Sequence, residues 1–340
     1  MLHLRSIVVT GAAGFIGSHL CERLVADGYD VHGIDDFSHG DPLNLTPVQG
    51  SAAFRFTRGD CRDARLMRRL MREADAVIHL ASEKIPRYGG ATQTLEANTA
   101  GARTVFEAAQ AAEARVVFAS TSDVYGNGTP PFAEDDNLAL GPSTTRRWAY
   151  ATSKLYNEHL ALAMHAESGL DAVVLRLFGS YGPRNHPSWW GGPQAAFIER
   201  LLDGGTIEIH GDGEQIRTFT YVADTVDGFV RALASPLASG EVINVGGNQP
   251  VTILELAAFV HEAMGLHGPL RAVFVPYEQL PGRYQDVRRR IPNNSKAAEL
   301  LDFKARTDLA TGLRATVAWH IERRAAERPV SRRSKAVAAI

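Results

Sequence analysis

Three glycines spaced three apart, Gly11, Gly14 and Gly17 in TGAAGFIG (10–17), separate an apolar run from a helical pattern. The run SIVVTG (6–11) reads as a buried strand. GSHLCERLVADG (17–28) reads as a helix ended by Gly28. Small residues at this junction let the backbone approach a pyrophosphate. The helix N-terminus adds unsatisfied N–H groups and the positive end of its dipole. Taken alone, such a loop is equally a tight strand-to-helix turn. The second strand, DVHGIDD (30–36), supplies what a turn does not need. Asp35 falls 18 residues beyond Gly17, near the spacing of a carboxylate that takes a ribose 2′-hydroxyl. A carboxylate there repels a 2′-phosphate, and Asp36 and Phe37 follow rather than an arginine, so NAD is expected over NADP.

The alternation continues. Strands are expected at 52–60, 75–82, 115–122 and 171–180, with helices at 63–73, 94–112 and 148–168. Strand–helix alternation with buried apolar strands argues for an α/β fold built on a doubly wound parallel sheet, a Rossmann arrangement. After Ser180 the character changes. YGPRNHPSWWGGPQ is a loop rich in Gly, Pro and Trp. TIEIHGDGEQIRTFTYV (206–222) reads as two short strands around a Gly-Asp-Gly turn. Asp224 reads as the cap of the next helix, GEVINVGG (240–247) as a last apolar strand, and Thr252 to Glu255 as a capping box. The expected division is a cofactor domain over 1–178 plus about 216–247. A smaller α/β substrate lobe takes about 179–215 plus 248–328, and 329–340 is a disordered basic tail.

The chain has 340 residues, 45% hydrophobic and 22% charged, with a formal net charge of -2. No global field calls for nucleic acid or an anionic membrane. Two cysteines, Cys21 and Cys61, form neither a disulfide framework nor a cysteine-rich metal site, and no metal is expected. With no signal peptide, a reducing cytoplasm is the expected home. No window approaches the ~20 apolar residues of a membrane span.

WAYATSK (148–154) sets Tyr150 and Lys154 one helical turn apart on one face. A phenol titrates near pH ~10. A nearby ammonium favours the phenolate and is expected to pull that value toward neutrality, making Tyr150 a proton acceptor. The bland reading is a surface pair. However, the fifth strand ends in ASTSDVYG (119–126), and strand C-termini face the ligand crevice of such a sheet. Thr121 and Ser122 therefore meet Tyr150 and Lys154 there. Asp60, ending the third strand, is placed to bond adenine or to cap a helix.

Ten stretches resemble the extended short-chain dehydrogenase/reductases, the nucleotide-sugar epimerases and dehydratases. They are TGAAGFIGSHL, IDDFS, GDCRD, HLAS, EANTAGARTVFEAA, STSDVYG, YATSK, LRLFGSYGPR, GDGEQIRTFTYVAD and INVGG. They run in family order over nearly the whole chain. The resemblance implies that Tyr150 takes a proton from a sugar hydroxyl, that Lys154 lowers its pKa and holds the nicotinamide ribose, and that Thr121 assists. It implies cofactor contacts from Phe15, Ile16, Cys61, Leu80, Ala81, Ser82 and Asn98. It also implies substrate contacts from Arg184, Arg217, Arg283 and Asp286, with His210 near a uracil. Guanidinium geometry suits a diphosphate. A UDP-sugar substrate and a homodimer pairing the helices at 94–112 and 148–168 are implied as well.

Some positions depart from the family. Gly179 stands where many relatives have Asn, and NHPSWWGGPQ (185–194) is atypical. Trp189 and Trp190 line the pocket or pin the loop. Lys84 and Arg87 follow the fourth strand at the crevice, where a diphosphate or a uronate carboxylate would lie. Three outcomes share oxidation at C4: 4-epimerisation, 4,6-dehydration and decarboxylation of a uronate. After Thr121 come Ser122 and Asp123, where family dehydratases carry Asp and Glu and decarboxylases Ser and Glu. Arg290 lies near a functional arginine of some decarboxylases. The expected activity is 4-epimerisation of a UDP-hexose or UDP-hexuronate, with decarboxylation next. A non-catalytic NAD sensor or scaffold is the reading outside enzymes.

Overall fold

The computed structural model describes residues 4–84, 90–280 and 284–337. In chain order, the first half runs β1 (Ser6–Thr10), α1 (Phe15–Ala26), β2 (Asp30–Asp35), β3 (Phe54–Arg58), α2 (Ala64–Met71), β4 (Ala76–His79), α3 (Ala91–Ala111), β5 (Arg115–Thr121), α4 (Trp148–Ser168) and β6 (Ala172–Leu177). The second half runs β7 (Ser180–Tyr181), α5 (Pro193–Leu202), β8 (Ile207–His210), β9 (Ile216–Thr218), β10 (Thr220–Tyr221), α6 (Val222–Ala234), β11 (Val242–Val245), β12 (Pro250–Thr252), α7 (Ile253–Ala263), β13 (Ala272–Val275), β14 (Arg289–Arg290), α8 (Ser295–Leu301) and α9 (Leu309–Val337).

Seven parallel strands form the main sheet in the order β11-β6-β5-β4-β1-β2-β3. The apolar strands are continuous because both faces are covered. Alternate residues of β1 go to opposite layers. Ile7 and Val9 pack toward α1 and α6, and Val8 packs toward α2, α3 and α4. The strand order reverses between β1 and β4, which opens a crevice at the strand C-termini. The loops after β1, β4 and β5 all empty into it.

The second half departs from the sequence reading in several places. β8 and β9 do not pair with each other. β8 runs parallel to β13, while β9 lies between β12 and β14. Gly211 and Gly213 do take positive φ at the turn. The chain then diverges, because Ile207 and Ile209 of β8 are buried against α5 and α7. β11 is not the last strand, since β12, β13 and β14 follow. Asp224 does not cap α6. The cap is Tyr221, and Asp224 accepts the Thr307 N–H at 2.9 Å. The capping box does form, from Thr252 and Glu255. α9 extends to Val337, through most of the segment read as a disordered tail. Among the described residues no helix is long and apolar enough to cross a membrane.

Candidate active site

The crevice is a cavity of about 750 Å³. Its floor is the glycine loop. Gly11 has φ +70°, and a Cβ there would sit 2.9 Å from the Ala81 nitrogen. A Cβ on Gly17 would meet the Gly11 carbonyl at 2.0 Å, so the loop closes only with glycine at this position. Gly14 caps α1 with no side-chain hydrogen bond, leaving the helix start to whatever anion approaches. Phe15 and Ile16 line the same wall. These features fit a dinucleotide pyrophosphate.

Asp35 stands at the end of β2. Its carboxylate accepts from Ala13 N at 3.0 Å and Phe37 N at 2.8 Å. Burial nevertheless raises its pKa, the two backbone bonds opposing. Asp36, Asp60 and Cys61 lie on the cavity wall. Asp60 does not cap α2; Asp63 does. Asp60 instead accepts from Arg62, whose side chain holds it below the usual carboxylate range. Burial pushes the Cys61 thiol up to about 12. Across the crevice, Thr10 Oγ1 accepts the Leu80 and Ala81 N–H groups at 3.2 Å each. Asn98 joins three elements, accepting from Glu83 N at 2.7 Å and Ser82 Oγ at 3.2 Å and donating to Ser153 Oγ at 2.9 Å.

Tyr150, Lys154 and Thr121 do meet at this cavity, but the electrostatics differ from expectation. Tyr150 is raised, not lowered. Burial is the main cause and Asp123 adds to it, against hydrogen bonds from Thr121 and Ser82. The Lys154 ammonium is turned toward β5. It donates to the Ala119 carbonyl at 2.8 Å and lies 6.0 Å from the Tyr150 ring centre. Burial takes its pKa down to about 7, with Glu158 pushing back. Ser122 is buried at the start of a short 3-10 turn, Ser122–Tyr125.

Asp123 lies in a charge cluster that the sequence reading does not contain. Arg290 approaches Asp123 Oδ1 at 2.5 Å and Arg147 approaches it at 3.2 Å. Arg147 also reaches Asp286 Oδ1 at 2.8 Å, and Arg217 meets the same oxygen at 2.8 Å. Burial opposes ionisation of Asp123, but Arg290, Arg147 and Arg217 outweigh it and hold the carboxyl below its ordinary range. Asp286 is held well below for the same reason, with Arg217 and Arg147 outweighing its burial. Arg290 and Asp123 line the cavity, while Arg217 and Asp286 stand behind them. Arg147 is the residue that sequence reasoning missed. Its signal was a cation at the cap of α4, where the helix dipole disfavours positive charge unless an acid compensates.

The remaining expected residues are dispersed. Arg184 lines the cavity and pairs with Glu22 at 2.6 Å. Lys84 donates to the Trp190 carbonyl at 3.2 Å. Trp190 lines the cavity and packs on His39 at 4.6 Å, whereas Trp189 stacks on His210 at 4.1 Å. The two tryptophans thus divide the two roles considered for them. His210 lies outside the cavity lining. Gly179 has φ +53°, and a Cβ would sit 2.4 Å from the Thr218 carbonyl, so this backbone excludes the family asparagine. Arg87 and Arg283 fall outside the described residues.

A doubly wound sheet with a glycine cradle, an acid after its second strand and a Tyr-x-x-x-Lys pair at the crevice defines a nicotinamide-dependent enzyme class. The chain belongs to the NAD dependent epimerase/dehydratase family, whose model matches residues 7–246. It is 35% identical over 324 residues to a UDP-N-acetyl-alpha-D-glucosaminuronate decarboxylase of Bacillus cytotoxicus, covering 93% of this chain and 97% of that protein. It is 34% identical over 314 residues to a UDP-glucose 4-epimerase of Mycolicibacterium smegmatis, covering 91% and 96%. The structure is similar to a UDP-glucuronic acid 4-epimerase from Bacillus cereus solved with UDP-glucuronic acid and NAD. The TM-score is 0.83 at 31% identity, covering 92% and 98% of the two chains. NAD is the cofactor of this family, and the family comprises nucleotide-sugar epimerases, decarboxylases and dehydratases.

Proposed function

We propose that the chain oxidises C4 of a UDP-hexuronate and carries the product on to loss of carbon dioxide, giving a UDP-pentose. The observation behind this reading is Asp123, kept ionised by Arg290 and Arg147 on the cavity wall beside Tyr150. Bound NAD supplies the hydride acceptor for C4. Gly11, Gly14, Gly17 and Asp35 hold the cofactor. Tyr150, with Thr121, takes the proton of the C4 hydroxyl, and the Lys154 ammonium stabilises the phenolate that results. A ketone at C4 lies β to the C6 carboxylate. The C5–C6 bond can then break with its electron pair passing toward the C4 oxygen, carbon dioxide leaves, and C5 takes a proton. The hydride lent to the cofactor then returns to C4 while Tyr150 gives its proton back to the C4 oxygen, restoring the alcohol of the UDP-pentose. Arg290 orients the departing carboxylate. Dehydration is disfavoured because it needs an acid at Asp123 or Ser122. Asp123 holds no proton at neutral pH, and a serine hydroxyl is far too weak an acid. The similarity to the Bacillus cytotoxicus decarboxylase supports the same choice.

A second reading, 4-epimerisation of a UDP-hexose or UDP-hexuronate, draws on Gly179, Gly191 and Gly192, which present backbone rather than side chains to the cavity. Also proposed are substrate contacts from Arg184, Arg217 and Asp286, the two-lobe division, a cytoplasmic home, and a homodimer through the outer faces of α3 and α4. On those faces Arg103 donates to the exposed Tyr156 hydroxyl at 2.7 Å. An intact Tyr150, Lys154 and Thr121 argue against a non-catalytic sensor. The test is a nuclear magnetic resonance time course with UDP-glucuronate, UDP-N-acetylglucosaminuronate and UDP-glucose in turn. A UDP-pentose with carbon dioxide is expected. A galacto product with C6 intact would move the assignment to the epimerase, and a 4-keto-6-deoxy sugar would overturn both.

A further inference from the structure

The cleft cluster holds three guanidiniums (Arg147, Arg217, Arg290) and two carboxylates (Asp123, Asp286), three positive charges against two. Arg147 stands in its middle. Its Nη2 lies 3.2 Å from Asp123 Oδ1, and its Nη1 lies 2.8 Å from Asp286 Oδ1 and 2.6 Å from the Gln285 carbonyl. Asp286 Oδ1 also accepts from Arg217 Nη2 at 2.8 Å. One guanidinium is thus shared by two carboxylates, and one oxygen of each carboxylate by two guanidiniums. The Arg147 plane lies 5.0 Å from the Trp148 ring centre and 5.4 Å from that of Tyr284, which holds its fork in orientation.

We propose that Arg147 is a positioning residue that couples the nucleotide end of the site to Asp123 at the reacting end. The coupling rests on the reading that Arg217 engages the substrate diphosphate. When it does so, Asp286 gives up part of one cation and draws harder on Arg147. Asp123 is then left more to Arg290. The field at the reacting end is in this way set by whether the correct nucleotide is in place. Arg147 touches no reacting atom; it acts through Asp123. A lysine keeps the charge but not the fork, so it cannot hold both aspartates in this geometry.

The test measures UDP binding by calorimetry, with NAD-loaded full-length protein and UDP alone as the probe. Asp123→Asn releases Arg147 to Asp286, and Asp286 in turn releases Arg217. UDP should therefore bind about fivefold tighter or more, the low end of ordinary site-to-site coupling. Combined with Arg147→Gln, or with Arg147→Lys, the same Asp123→Asn change should alter the UDP Kd by less than about twofold. Tightening that persists in the Gln background would overturn the proposal, because Asp123 would then act on UDP through space. Tightening that persists only in the Lys background would overturn it too, because charge alone would suffice. No tightening in the parent would do the same. NAD retention and melting of each variant show that it is folded. Since calorimetry needs no turnover, coupling without release of carbon dioxide from UDP-glucuronate would sink the decarboxylase reading alone. Carbon dioxide release without coupling would sink the role of Arg147 alone.

Discussion

Two arginine–carboxylate clusters lie near each other in this molecule, and they differ in balance and in exposure. Behind the active-site helix, Arg176 grips Glu158 through three hydrogen bonds of 2.8 to 3.2 Å, and both side chains are at most 5% exposed. Ser120 donates to the same carboxylate, and Arg176 spends a further N–H on the Glu134 carbonyl and lies over the Tyr125 ring. One charge meets one charge, and the surroundings satisfy the rest. In the cleft, three arginines meet two aspartates at the edge of an open cavity. A balanced, closed pair has nothing left to offer a ligand. An unbalanced cluster facing a cavity is poised for an anion, and its carboxylates are held low by the arginines around them.

Helix α4 carries parts of both, and the largest expected effect separates them. Tyr150→Phe removes only a hydroxyl at the cavity. Turnover should fall ~10²–10⁴-fold, the usual cost of losing general-base catalysis. Melting temperature and NAD content should stay at parental values. Near-parental turnover would mean that a different group takes the proton.

Glu158→Gln, two turns along the same helix, should do the reverse. It keeps the shape but leaves the Arg176 charge buried and uncompensated, at a cost of roughly 3–5 kcal/mol in folding stability. Denaturant unfolding measures this directly. A loss below about 1 kcal/mol, the scale of a surface pair, would place Glu158 with the exposed bridges instead.

Arg290→Gln tests the cleft side. Removing one charged donor aimed at a reacting group costs on the order of 10²-fold in turnover. Stability should change little, because the variant leaves Arg147 on Asp123. In a single turnover, reduction of bound NAD by UDP-glucuronate should persist while carbon dioxide release falls. Equal loss of both steps would assign Arg290 to binding rather than to the carboxylate.

What could be read from the chain alone follows the same division. β1 to β6, α1, α3 and α4 were legible because buried strands and helices announce themselves in local apolar runs. Tyr150, Lys154 and the glycine loop were legible because their spacing is local too. The partners of β8 were not, because a Gly-Asp-Gly turn looks like a hairpin until burial of Ile207 and Ile209 directs the strand to β13. The cleft cluster was not legible because Arg147 and Asp286 stand 139 residues apart and meet only through tertiary folding. The direction of the Tyr150 shift was missed for a related reason. The spacing shows that Lys154 shares a helix face with it, but not that the ammonium is turned toward Ala119 or that Asp123 lies near the phenol.

The smallest effect joins the two regions, because Lys154 lies between them. Its ammonium donates to Ala119, packs 4.8 Å from the Phe118 ring centre and is 2% exposed. Burial lowers its pKa from 10.5 to about 7, against the pull of Glu158. Below pH 7 the folded and unfolded chains both carry this proton, and the folded state bears the full cost of burying it. Between pH 7 and 10.5 the unfolded chain still binds a proton that the folded chain has released. Stability due to this group must therefore rise with pH across that window, by at most about 1.4 kcal/mol per unit. Lys154→Met fills the space without the charge. It should abolish turnover and yet make the ligand-free protein more stable than the parent at pH 6, with the gap narrowing steadily as the pH rises from 7 toward 10.5. Taking the difference between the two proteins cancels other groups, such as the Cys61 thiol, that titrate in the same alkaline range only in the unfolded chain. Unfolding both proteins in urea at several pH values decides the matter. A gap that stays constant or widens with pH would mean that Glu158 keeps Lys154 charged throughout. The closed cluster would then be sustaining the Lys154 ammonium as well as the fold.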